Sequence, residues 1–271
     1  MPKAIINGKS IYYEVHGEGE PVIFVNALMM TTVNWLLQIE PFARRYKLIL
    51  FDLLGQGQSD YVTENLTLDM QADVIKGLLD HLNIKKAHMY GTSFGSFVAM
   101  TFALKHQQRL KTLTLQGTWG KFDYHAMKNG EVWIDVAMMR NPDKLFDFFM
   151  TLVFAPQFYN NNQPRLEELK KIWWTKVLSA RENWVEAFAA LTRSLYTLDL
   201  LNQLPEIKIP TLILAGAQDK IMSLENHDEV HKAIPGSAYI ILKDSGHCPH
   251  IETPNEFRYL MFGFIEAHKA D

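Results

Sequence analysis

The five residues Gly91-Thr92-Ser93-Phe94-Gly95 carry the clearest chemical signal in the chain. They follow a short apolar run, Ala87-His88-Met89-Tyr90, and open a segment in which Val98, Ala99 and Phe102 recur at helical spacing. A serine there sits in a tight strand-to-helix turn with its hydroxyl lifted clear of the backbone. The glycines two residues before and two after it leave room for that turn. The helix start behind Ser93 aims unengaged N–H groups at any negative charge that develops in front of it. The chemistry implied is attack on a carbonyl. The plain alternative, a buried serine in an ordinary strand-to-helix turn, leaves the paired glycines without a purpose.

A serine hydroxyl at its ordinary pKa is a weak nucleophile and needs a base, and the base needs an orienting acid. Of the ten histidines, His247 is placed best. Its segment, Asp244-Ser245-Gly246-His247, lies after the apolar run Ala238 to Leu242 and before the last helix, where a loop reaches over a strand end. His250 is the near rival. His16, His81, His88, His106, His125 and His268 suit bland surface or core positions, and His227 and His231 fall on an expected surface helix. Asp219 follows the apolar run Thr211 to Ala215, which gives the chain order Ser, Asp, His. Asp244 is the alternative acid, although it stands only three residues from His247 and better suits shaping that loop. An oxyanion needs two N–H donors. Phe94 offers one and Leu28, in the turn after Pro21 to Val25, the other. This chemistry uses no cofactor and no metal, and none is expected. Cys248 reads as a neighbour of the base and not as a nucleophile.

These residues need a scaffold that brings loop ends together. Apolar runs at 10–15, 21–26, 46–51, 87–90, 111–115, 211–215 and 238–242 alternate with helical patterns at 68–82, 96–106 and 257–267. Such alternation predicts an α/β fold: a mostly parallel twisted sheet flanked by helices. The alternation stops between Gly120 and Leu204. That stretch reads as nearly all helical and is rich in Met, Trp and Phe. The expected organisation is a core of residues 1–119 and 205–271, with a helical cap, or lid, of 120–204 inserted over the sheet. Trp133, Met138, Phe149, Phe154 and Trp184, with Asn26 and Ala27 at the early turn, are the candidate substrate contacts. Packing between cap and core is the plainer role for such a stripe.

Composition narrows the function classes. The chain has 271 residues and a formal net charge of −3, so an extensive phosphate-binding surface is a poor expectation. With 48% hydrophobic and 21% charged residues, close to an average globular protein, wholesale disorder is not expected. One cysteine rules out an internal disulfide and any four-cysteine metal site. No apolar run reaches the ~18 residues of a membrane span, and the start lacks the apolar run of a secretory signal, so a soluble, cytoplasmic protein is expected.

Taken together, the Asn26 turn, Phe51-Asp52-Leu53-Leu54-Gly55-Gln56-Gly57-Gln58-Ser59, the Gly91 to Gly95 turn, Asp219 and Ser245-Gly246-His247 resemble the α/β-hydrolase fold family across nearly the whole chain. Leu54 stands where that family commonly has Arg, and Asn26-Ala27 where it commonly has His-Gly; neither change removes a proton-transfer group. Asn26-Ala27-Leu28-Met29-Met30-Thr31-Thr32 is similar to a segment of the subfamily of 3-hydroxyacyl-carrier-protein transacylases and the rhamnolipid precursor synthase, although Ser93-Phe94-Gly95-Ser96 departs from its Ser-Trp-Gly-Gly. The resemblance implies a serine hydrolase of carboxylic ester or thioester bonds with a largely apolar acyl group, working through an acyl-enzyme on Ser93, Asp219 and His247. An acyltransferase using hydroxyacyl groups on acyl carrier protein or coenzyme A is the alternative, with Lys105, Arg109, Lys111, Lys170 and Lys171 as a candidate docking face. A non-catalytic ligand-binding protein of the same fold is the third reading.

Overall fold

The computed structural model of the protein describes residues 2–178 and 182–269. Its centre is an eight-stranded sheet: β1 (Lys3–Ile6), β2 (Lys9–His16), β3 (Pro21–Val25), β4 (Lys47–Phe51), β5 (Ala87–Thr92), β6 (Leu110–Gln116), β7 (Thr211–Gly216) and β8 (Ala238–Leu242). The spatial order is β1-β2-β4-β3-β5-β6-β7-β8. β1 and β2 pair antiparallel, as do β2 and β4, and every later pair is parallel. The central strands read as unbroken apolar runs because both faces are covered; all six residues of β5 and of β7 are buried.

One face of the sheet packs on α2 (Leu68–His81) and α3 (Phe94–His106), the other on α1 (Leu36–Ala43) and α11 (Pro254–Ala267). The α2 pattern explains its burial: Leu68, Ala72, Ile75, Leu78 and Leu79 share a face, and the Thr67 hydroxyl accepts the Met70 N–H at its start. β1 was not foreseen. Four residues, with only Ala4 and Ile6 turned inward, are too few for a periodic signal. It is held by β2 and by Ile6 lying on Gly77 of α2, where a Cβ would come within 2.3 Å of the isoleucine.

Between β6 and β7 the chain leaves the sheet as α4 (Tyr124–Met138), α5 (Pro142–Val153), α6 (Pro156–Asn161), α7 (Gln163–Ile172), a π-helical turn Trp173–Leu178 and α8 (Trp184–Arg193). The departing and returning strands of this segment are tied together. Phe122 N–H donates to Leu198 C=O, Leu200 N–H donates to Gly120 C=O, and Lys121 pairs with Asp199 at 2.7 Å. The helices share an apolar cluster of their own, which takes in Phe146, Phe149, Phe154, Trp173 and Phe188 and reaches the core at Met29. α9 (Leu224–Ala233) corrects one expectation: His227 is fully buried, its ring nitrogens engaged by Ser223 C=O and the Thr118 N–H. No described helix is long and apolar enough to cross a membrane.

Candidate active site

Ser93 follows β5 and caps α3 with φ 53° and ψ −122°, a conformation that a residue with a side chain adopts only under constraint. The constraint is visible. Its N–H donates to Gln116 C=O at 2.8 Å, and its C=O accepts from the Ser96 N–H and the Ser96 hydroxyl, both at 2.7 Å. Both motif glycines are obligatory. A Cβ on Gly91 would lie 2.4 Å from Gly95 C=O, and one on Gly95 would lie 2.2 Å from Val25 C=O.

Asp219 lies just beyond β7. Its Oδ1 accepts the N–H groups of Ile221 and Met222 at 2.8 and 2.9 Å, which leaves Oδ2 to take His247 Nδ1 at 2.7 Å. Both side chains are almost completely buried. Burial opposes charge on each, yet their mutual attraction and hydrogen bond outweigh it. Asp219 is held below the usual carboxylate range and His247 above the usual imidazole value. Gly117, at φ +57°, completes the fit, because a Cβ there would press within 2.7 Å of the imidazole.

The histidine loop is pinned on three sides. His247 N–H donates to Val153 C=O at 2.7 Å, and its own C=O accepts from Gln116 Nε2 at 2.9 Å. Glu252, in the short helix α10 (Pro249–Glu252), accepts the N–H groups of Gly246 and Cys248 at 3.0 Å and that of Ala155 at 2.7 Å. Burial raises its pKa against those hydrogen bonds. Gln116 therefore joins the serine turn to the histidine loop, and Glu252 joins that loop to the end of α5. Neither was found by sequence reasoning, since a lone polar side chain gripping backbone groups leaves no spacing pattern; the place of Gln116 at a strand end beside the serine turn is the only hint.

Ser93 and His247 open into one cavity of about 290 Å³. Ala27 and Leu28 line it from the core and Trp133, Phe149 and Phe154 from the inserted helices. The remaining expected contacts lie elsewhere. Asn26 is buried below the turn, donating to Phe51 C=O at 2.9 Å and accepting the Trp35 indole N–H at 2.6 Å. Met138 is 57% exposed near the end of α4. Trp184 packs edge-on to Trp174 and faces a separate void of about 20 Å³ beside Gly55 and Gln56. The cavity also takes residues that were not foreseen, among them Met150, Val153, Leu36, Leu37 and Arg165. Phe94 buries its ring in the core, and its backbone opens α3 beside Ser93.

The other candidates sit in different settings. His250 is buried against Trp35, and burial pushes its pKa down to about 3. Asp244 meets Gln157 at the surface. Cys248 lines the cavity, but burial raises its thiol well above the ordinary range, so a thiolate is disfavoured. Of the five basic residues, Lys171 is exposed on α7 and the other four are each set against an acid. Lys105 pairs with Asp69 and Asp73, Arg109 with Asp80, Lys111 with Glu20, and Lys170 with Asp143. Among the described residues no cluster of three or more His, Cys, Asp or Glu side chains is arranged to hold a metal ion.

Comparison with known proteins identifies the fold family. The family model described as alpha/beta hydrolase fold matches residues 20–254. The 3-oxoadipate enol-lactonase 1 of Acinetobacter baylyi is 26% identical over 265 residues, covering 96% of this chain and 94% of its own. A 2-hydroxy-6-oxononadienedioate/2-hydroxy-6-oxononatrienedioate hydrolase 2 of Pseudomonas putida is 28% identical over 269 residues, covering 94% and 91%. Among solved structures, MGS-M2, an alpha/beta hydrolase enzyme from a Medee basin deep-sea metagenome library, superposes with a TM-score of 0.93 at 27% identity and covers 100% of this chain and 99% of its own. With the family model matched along most of its length, the chain belongs to the α/β-hydrolase fold family and is a hydrolase.

Proposed function

We propose that the protein hydrolyses a carboxylic ester or thioester of a largely apolar acyl group through an acyl-enzyme on Ser93. One observation carries the reading: a strained, glycine-flanked serine and a buried, carboxylate-paired histidine open into the same apolar cavity. In this reading His247 Nε2 takes the Ser93 proton as Oγ attacks the carbonyl carbon. Asp219 holds the imidazole by Nδ1 and favours its charged form. The oxyanion is received by the N–H groups of Leu28 and Phe94; Phe94 is the first residue of α3, where no helical carbonyl engages its N–H. The tetrahedral species collapses, His247 returns the proton to the departing alcohol or thiol, and the acyl group stays on Ser93. Water, deprotonated by His247, then attacks the acyl carbon; as the Ser93 Oγ–acyl bond breaks, His247 returns that proton to Ser93 Oγ and the acid is released.

Residues 120–204 serve as the cap. They supply Trp133, Phe149 and Phe154 to the cavity, where apolar walls suit an acyl chain. The relative named as an enol-lactonase, an enzyme that opens an internal ester, supports ester chemistry at this site. The interleaved ion pairs at Lys105, Arg109, Lys111 and Lys170 offer no reason to add a carrier protein or coenzyme A. The test is a chain-length series of p-nitrophenyl esters and acyl thioesters, with Ser93→Ala as control. Activity on at least one member, lost in Ser93→Ala, is expected; no activity above the Ser93→Ala background on any member removes the assignment.

A further inference from the structure

The turn that carries Leu28 is built without glycine. Met30 N–H closes it on Ala27 C=O at 3.3 Å, and Met29 is held at φ 55°, in the left-handed region that disfavours a bulky side chain. Something must hold it there. The primary amide of Gln56 is buried against the turn and grips both sides of Leu28: its Oε1 accepts the Met29 N–H and its Nε2 donates to Ala27 C=O at 3.1 Å. Trp173, from the inserted segment, adds a third hold by donating its indole N–H to Met29 C=O at 3.1 Å. Gln56 itself is fixed by its backbone, which donates to Leu53 C=O and accepts from the Ser59 N–H.

We infer that Gln56 is a positioning residue that sets the direction of the Leu28 N–H, and thereby the strength of the oxyanion hole. The inference rests on the reading of Leu28 as an oxyanion donor. An amide suits this task because one end accepts and the other donates, as Met29 N–H and Ala27 C=O require; a carboxylate, a hydrocarbon or a shorter amide each lose at least one of the two bonds. A misaimed donor weakens binding of the transition state while leaving the planar ground state nearly untouched.

The test compares wild type, Gln56→Met, Gln56→Glu and Ser93→Ala on the best ester of the series. Gln56→Met lowers kcat about 10–100-fold, less than deletion of a donor outright, and leaves KM within about twofold. It weakens a trifluoromethyl ketone, which adds to Ser93 as a tetrahedral oxyanion, by the same factor as kcat. It leaves inhibition by the carboxylic acid product unchanged. Gln56→Glu keeps the acceptor for Met29, loses the donor to Ala27 and adds an anion near the hole, so it falls at least as far; it stands in should Gln56→Met not fold. Unchanged kcat in Gln56→Met beside an inactive Ser93→Ala overturns the inference alone. Parallel loss of ketone and product binding overturns it too, since that marks a merely structural residue. An active Ser93→Ala removes the function beneath it.

Discussion

The sheet and the helices inserted after its sixth strand wall the same cavity by different means. On the sheet side each residue of the proposed triad is tied through the backbone: Ser93 N–H to Gln116, His247 to Val153 and Gln116, and Asp219 to Ile221 and Met222. On the inserted side the cavity wall is made of side chains such as Trp133, Phe149 and Phe154, held by packing against one another. Hydrogen bonds have direction and fix atoms within fractions of an ångström; apolar contacts fix volume and little else. In the proposed reading the core therefore holds the chemistry constant, and the insertion sets which acyl groups fit. The two regions are not independent, because Glu252 and Val153 fasten the end of α5 to the histidine loop.

That division is broken most severely at the proposed nucleophile. Ser93→Ala should lower kcat/KM at least about 10⁴-fold while the fold, followed by circular dichroism, survives. Asp219→Asn should cost about 10³–10⁴-fold in kcat, with KM little changed, because it disrupts the orientation of the imidazole. The sharpest contrast uses one residue type in both regions. Phe102, fully buried on α3, should lose about 3–5 kcal/mol of stability as Phe102→Ala and keep the wild-type preference among esters. Phe149→Ala should instead shift the optimum toward longer acyl chains and raise the ratio of long-ester to short-ester kcat/KM about tenfold. A ratio unchanged in Phe149→Ala, or changed in Phe102→Ala, contradicts the division.

The pH dependence is a milder test of the core. The proposed mechanism needs neutral His247, whose pKa the Asp219 carboxylate holds above the ordinary 6.5 despite burial. A raised pKa means the imidazole is already charged at higher pH, so the acid limb of kcat/KM should have its midpoint above pH 6.5. The smallest effect is expected at Met138→Ala, an exposed residue of the insertion: within about 0.5 kcal/mol in stability, and no change in the ester profile.

The same contrast explains what could be read from residues alone. Gly91 and Gly95 were legible because the turn tolerates no Cβ at either position. Asp219 and His247 followed from loops beyond apolar runs, in the order that the chemistry needs, although only the strand before Asp219 is fully buried and the one before His247 is buried at Leu242 alone. The inserted helices were legible as apolar and helical, but composition does not say which way a side chain turns. Trp133 faces the cavity, Trp184 packs beside a different void, and Met138 points to solvent. Gln56, Gln116 and Glu252 escaped for another reason: each acts through backbone groups distant in sequence, a relation that exists only once the chain has folded. His227 escaped because a histidine can be buried wherever both ring nitrogens find partners.

The acyl-enzyme is the centre of this account, and mass spectrometry of the protein quenched in acid during turnover of a p-nitrophenyl ester tests it most directly. The predicted result is a mass increase equal to one acyl group, found on the peptide carrying Ser93 and absent in Ser93→Ala. An adduct on Cys248, or turnover without any acylated protein under conditions where deacylation is rate-limiting, would contradict it.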